Sequence, residues 1–272
     1  MCPFRSLTLL AAAAFAAAAV VPAAAQDGLK QDHIKLVPQS MRCAAPSDLT
    51  RLSASLSRMT RKMIAGGTIK IVAIGSSSTA GAGASSPAHS YPSRLAVELA
   101  SLFPKQQFVV INRGINGEVT RDMLARFDSD VFPENPDIVI WQVGSNAVLR
   151  DQPLQPAGQL IHDGVERLKA AGIDVILVDP QFAPKVLAKP DADGMVELIA
   201  VTAKKENVGL FRRFAVMRHW RQTEHMPYET FLSPDELHMN DWSYGCLAKL
   251  LAGAIAETAT RSTLTASTGT AR

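Results

Sequence analysis

The sequence predicts an α/β fold, a single parallel sheet held between two layers of helices. Three observations carry that prediction. Short segments of continuously apolar, largely β-branched residues recur along the chain, as strands buried on both faces require. Between them lie stretches whose apolar residues repeat at helical spacing. The two kinds of segment alternate, which is the pattern of parallel strands joined by right-handed crossover helices. A three-layer α/β/α sandwich in one domain follows, and no internal repeat marks a second.

Residues 26–44 are polar and lack periodicity, so they read as an extended arm. Ser47 and Asp48 suit the cap of a helix over 48–64, where Leu49, Leu52, Leu56 and Met59 recur at helical spacing. Gly66 and Gly67 end it. Residues 69–74 form the first strand. A helix over 90–103 carries Leu95, Leu99 and Leu102 on one stripe, with Pro104 beyond it. Residues 108–111 are the second strand. A helix over 120–132 is closed by Pro133 and Pro136. The third strand is 138–143, followed by a helix over 156–171 that ends at Gly172. The fourth strand is 173–178, then come a helix over 193–206, a short fifth strand at 208–211 and a helix over 214–222. The last helix runs over 240–258. Residues 259–272, rich in Thr, Ser, Ala and Gly, read as a disordered tail. This gives an arm and helix at 26–66 and the sandwich domain at 67–258.

Residues 1–25 read as a secretory signal peptide. Arg5 supplies the positive start, 9–21 is an apolar, Ala-rich run, and Pro22 breaks it before Ala23-Ala24-Ala25 and Gln26. The apolar run is short for a membrane span. The expected address of the mature chain is the periplasm or the medium. The net charge of +3 falls by one when Arg5 leaves. That mild balance, without a basic run interleaved with aromatics, argues against nucleic-acid and membrane partners. Cleavage leaves two cysteines, Cys43 and Cys246, and an oxidising compartment favours their pairing as a disulfide between the arm and the last helix. Two independent buried thiols are the other reading.

Four segments fit one catalytic constellation: residues 75–79, 112–117, 144–146 and 235–238. The first three follow strands one, two and three, and ligands of open parallel sheets bind at such strand ends. Ser77 is the candidate nucleophile. It sits in a Gly/Ser-rich turn that presents it where backbone N–H groups favour developing negative charge. A phosphate-binding loop would end in Gly-Lys-Ser/Thr, and no lysine is present. A dinucleotide fingerprint would need a third glycine where Ser86 stands. The Gly-x-Ser-x-Gly elbow is also absent, because Thr79 replaces its last glycine. His238 is the candidate base, with Asp235 three residues before it to hold one ring nitrogen while the other faces Ser77. His89 and His225 are alternative bases without a carboxylate at that spacing. The backbone N–H groups of Ser77 and Gly117 and the side-chain amide of Asn146 are the candidate oxyanion donors.

With these residues in place, the chain resembles the SGNH/GDSL hydrolase superfamily over about residues 68–258. Ser77 matches the serine of the first block, Gly117 the glycine of the second, and Asn146 the asparagine of the third. Asp235 and His238 match the final Asp-x-x-His. The resemblance implies a flavodoxin-like sandwich, no metal or other cofactor, and esterase chemistry on acyl or acetyl esters. Two positions depart from the family pattern. Ser76 stands where an aspartate usually precedes the nucleophile, and Ala147 stands where one usually follows the asparagine.

Two loops, 182–191 and 222–234, are expected to line the cleft, offering Phe182, Tyr228 and Phe231 as walls with Trp220 nearby. Export and an open-sheet rim favour removal of acetyl groups from a carbohydrate, with general short-chain ester hydrolysis close behind. A glycan O-acetyltransferase and a catalytically silent glycan-binding module are the competing readings.

Overall fold

A computed structural model describes the backbone of residues 42–269 and the side chains through residue 261. The expected signal peptide and all of the arm before residue 42 lie outside the described residues. Five strands form one parallel sheet in the order β2-β1-β3-β4-β5. They are β1 (Ile69–Gly75), β2 (Phe108–Gly114), β3 (Ile138–Gln142), β4 (Asp174–Val178) and β5 (Gly209–Phe211). The chain adds β2 on one side of β1 and then returns to add β3 on the other. This reversal opens a crevice at the carboxyl ends of β1 and β3. Two helix pairs pack together beside the sheet. Tyr91–Leu102 lies against Asp241–Gly269, and Leu154–Ala170 lies against Ala192–Glu206. A short helix, Arg213–Gln222, follows β5.

Burial follows strand position. Every residue of β3 is buried, as a central strand covered on both faces requires. β2 is only partly buried, and Val109 is exposed, because it is an edge strand. It is also longer than expected and takes Asn112, Arg113 and Gly114 into the sheet. Gly114 pairs with Gly75, and the chain has no room for a larger residue there. A Cβ on Gly114 would lie 2.1 Å from the backbone nitrogen of Ala80 and 2.6 Å from its Cα. That absence of a side chain lets the turn after β1 sit directly on β2.

Several sequence expectations need correction. The helix over 48–64 is two pieces, Ser47–Thr50 and Ser57–Ile64, joined by extended chain. In the joint, Leu52, Ala54 and Leu56 are buried while Ser53 and Ser55 are exposed, an alternation of period two. Ser47 and Asp48 do not cap it. The N-terminus of Ser57–Ile64 is instead held by Asp174 of β4, whose carboxylate accepts the N–H groups of Arg58 (3.2 Å) and Met59 (2.9 Å). The helix over 120–132 breaks at Arg126 into Thr120–Ala125 and Phe127–Asp130. Arg126 donates to the carbonyls of Gly75 and Arg113 and pairs with Glu118 and Asp130, tying this break to the ends of β1 and β2. Leu102 faces solvent instead of sharing the buried stripe of Leu95 and Leu99. The last helix does not stop near 258 but runs on to Gly269, with Ala259 still buried, so the expected tail begins as helix. Cys43 and Cys246 are joined by a disulfide with their Cα atoms 5.3 Å apart. The Trp220 indole N–H also donates to the carbonyl of Ala44 at 2.9 Å.

Candidate active site

Ser77 opens a four-residue helical turn at the carboxyl end of β1. The preceding Ser76 is extended, and Gly81 closes the turn at φ +102°. Ser77 Oγ lies 2.8 Å from His238 Nε2. His238 Nδ1 lies 2.5 Å from Asp235 Oδ2. Three side chains separated by up to 161 residues thus form one continuous line of hydrogen bonds. The loop carrying the last two is itself fixed. Asp235 Oδ1 accepts the Ser233 hydroxyl (2.7 Å) and the N–H groups of Leu237 (3.0 Å) and His238 (2.9 Å). Burial alone raises the Asp235 carboxyl. The hydrogen bond from the His238 ring, with those from His238 N–H, Ser233 and Leu237 N–H, outweighs it and holds the group well below the ordinary carboxylate range. Asp235 therefore stays ionised and fixes the ring orientation.

Gly117 lies in the turn after β2 with φ +81°, a conformation that suits glycine and few other residues. Asn146 is on the turn Ser145–Leu149 after β3, and its amide nitrogen donates to the Glu118 carbonyl at 2.8 Å. A side-chain amide has two N–H groups, so one remains to donate elsewhere. Arg150, four residues on, donates to the Gly117 carbonyl at 2.6 Å. Residues i and i+4 of one helical turn thus clamp two successive carbonyls of the Gly117 loop.

Neither alternative base faces Ser77. His89 Nδ1 contacts Ser85 and Ser86, each at 3.0 Å, with Asp241 nearby at 3.7 Å. His225 is exposed, at φ +55°. Two of the expected cleft walls are also elsewhere. Phe182 is buried edge-on against Phe214, and Phe231 is buried against Trp220. Both are apolar packing residues, because the loops that carry them fold back onto the core. Tyr228 does line a cleft, of about 470 Å³, that also includes Gly83, Ser233 and Glu236 beside the Asp235–His238 loop.

A buried polar chain beneath the site escaped sequence reasoning. Gln142, at the end of β3, accepts at Oε1 from the Ser76 N–H and the Ser76 hydroxyl, both at 2.9 Å. Its amide nitrogen reaches Ser145 Oγ at 3.4 Å. Ser145 donates to Gln181 Oε1 at 2.8 Å, and Gln181 Nε2 donates to the Leu237 carbonyl at 3.3 Å. The chain runs from the Ser77 turn to the His238 loop. Arg213, fully buried, donates to Gln181 Oε1 (3.0 Å) and to the Asp179 carbonyl (2.9 Å). Burial pushes the neighbouring Asp179 carboxyl up to about 7, against the pull of the Phe214 N–H and the Arg213 charge. The two departures from the superfamily pattern fit this interior. Ser76, 2% exposed, is satisfied by Gln142 where an aspartate would put a charge, and Ala147 is equally enclosed. The signal was present in the sequence as Gln142, which ends the otherwise apolar third strand, and Asp179, directly after the fourth.

A model of the non-GDSL lipase-like family matches residues 42–261. The chain belongs to that family. Membership agrees with the SGNH/GDSL resemblance. A curated acetylxylan esterase of Geobacillus stearothermophilus is 38% identical over 56 residues, which is 21% of this chain and 26% of that protein. The matched segment thus spans about a quarter of that relative. Among solved structures, a two-domain esterase active on acetylated mannans superposes with a TM-score of 0.66 at 20% identity, over 78% of this chain and 56% of that one. The acetylxylan esterase Axe2 from Geobacillus stearothermophilus gives 0.58 at 22% identity, over 69% and 94%. These structures share the fold of this chain.

Proposed function

We propose that this protein is an exported serine esterase that removes acetyl groups from carbohydrate through an acyl-enzyme on Ser77. The single observation that carries the reading is the Ser77–His238–Asp235 line, with contacts of 2.8 and 2.5 Å. The acetylated-glycan esterases among its structural relatives and the acetylxylan esterase among its sequence relatives support the substrate class. The apolar, Ala-rich start of the sequence supports export.

In the proposed reaction His238 Nε2 takes the proton of Ser77 as Oγ attacks the acetyl carbonyl. Asp235 stabilises the imidazolium. The Ser77 and Gly117 N–H groups and the remaining N–H of Asn146 receive the oxyanion. Collapse expels the sugar hydroxyl, which leaves with the proton from His238. Water then attacks the acetyl-enzyme as His238 takes its proton, and acetate leaves as Ser77 recovers its hydrogen. An aligned triad favours this over a silent glycan binder. The test is release of acetate from acetylated xylan and mannan by the protein and by Ser77→Ala. Loss of several orders of magnitude in the variant supports the reading, and equal rates overturn it.

A further inference from the structure

Beside the oxyanion loop opens a second cleft, of about 530 Å³. Arg150, which lines it, links it to that loop by donating to the Gly117 carbonyl. That bond uses one of the five guanidinium N–H groups. Arg121 lines the same cleft, and among the described residues neither arginine has a carboxylate partner. The one acidic residue of the lining, Asp122, is engaged by the Val119 N–H at 3.0 Å. Thr120, 3% exposed, also lines it, and its hydroxyl has no hydrogen-bond partner among the described residues. The remaining wall includes Pro153, Pro156 and Leu160, an apolar surface suited to the C–H face of a sugar ring. Two guanidinium groups facing a single carboxylate, that of Asp122, leave the cleft with a net positive charge over an apolar wall, which matches a ring that carries a carboxylate, because the planar fork binds carboxylate through two parallel bonds.

We infer that this cleft is a subsite for a carboxylate-bearing sugar, so that the preferred acetyl ester sits on an acidic glycan. The inference rests on the esterase reading and adds a substrate class to it. Arg150 has two tasks in this account, holding the Gly117 loop and receiving the carboxylate, while Arg121 has only the second.

The experiment compares two substrates acetylated at the same hydroxyl, a methyl glucuronide and the matching methyl glucoside, which differ only in the carboxylate. The readout is the ratio of their kcat/KM values. The wild-type ratio is expected to favour the glucuronide by about tenfold or more, the effect of one charge-assisted hydrogen bond. Arg121→Gln and Arg150→Gln should each bring the ratio toward one, and Arg150→Gln should also lower kcat on both substrates. A wild-type ratio near one, or a ratio unchanged in both variants, overturns the subsite. If neither substrate nor p-nitrophenyl acetate is turned over, the esterase reading has failed separately. Calorimetric titration of the wild-type protein with a glucuronate-containing trisaccharide then decides the subsite. Binding lost in both arginine variants upholds it, and no binding, or binding unaffected by them, overturns it.

Discussion

Replacing Gln142 with leucine probes how the nucleophile turn is supported without the usual aspartate. Gln142 is 1% exposed, and its Oε1 accepts both the N–H and the hydroxyl of Ser76 at 2.9 Å. Leucine is close in size, so Gln142→Leu leaves little cavity. It does leave two donors on Ser76, itself 2% exposed, without an acceptor. Each such donor costs about 1–3 kcal/mol, so the variant should lose about 2–6 kcal/mol of stability. Ser76→Ala is the contrasting change. It removes one donor while the Ser76 N–H keeps Gln142 Oε1 occupied, and should cost only about 1 kcal/mol. The double variant should cost less than the two single changes summed, since alanine removes one of the donors stranded by leucine. Urea unfolding followed by circular dichroism gives the stabilities, and p-nitrophenyl acetate turnover reports displacement of Ser77. The reasoning is refuted if Gln142→Leu lies within about 0.5 kcal/mol of wild type, or is less damaging than Ser76→Ala.

Three further outcomes follow from the same geometry. Asp235→Asn keeps the shape of the loop but no longer fixes the His238 tautomer, so kcat should fall about 10⁴-fold with little change in Tm; retention of a tenth of the activity would count against the triad. Asp179 is raised by burial to about 7, so the folded state holds its proton more tightly than the unfolded chain does, and its contribution to stability is lost as pH climbs from about 4 to about 7. The stability advantage of wild type over Asp179→Asn should therefore shrink across that window, and urea unfolding that shows a constant difference would contradict the assignment. Reducing the Cys43–Cys246 bond, which spans 203 residues, should lower stability by about 2–5 kcal/mol, measured by urea unfolding with and without dithiothreitol; identical midpoints would remove it as a stabilising link.

The legible parts of this protein were those written in local patterns. Strands one, three and four are apolar runs with no competing periodicity, and their ends fall within about two residues of the expected positions. Asp235 and His238 were legible from their three-residue spacing, although the loop brings them together with Glu236 at φ +59° and not as a helical turn. The 48–64 segment misled because its leucines satisfy helical spacing, while the deciding partner, Asp174, lies more than 100 residues away. The chain of Ser76, Gln142, Ser145, Gln181 and Arg213 was illegible for the same reason, since most of its contacts join separate strand ends. Phe182 and Phe231 were misjudged because an aromatic in a loop reads alike whether the loop opens outward or folds onto the core.

The central claim is that Ser77 carries the acetyl group, and quenched-flow mass spectrometry tests it most directly. The wild-type protein is mixed with p-nitrophenyl acetate, quenched in acid within the first turnover, digested and mapped. The account predicts an acetyl adduct on Ser77, present in wild type, absent from Ser77→Ala, and formed far more slowly in a variant lacking His238. Turnover with no adduct on Ser77, or an adduct on another residue that persists in Ser77→Ala, would contradict it.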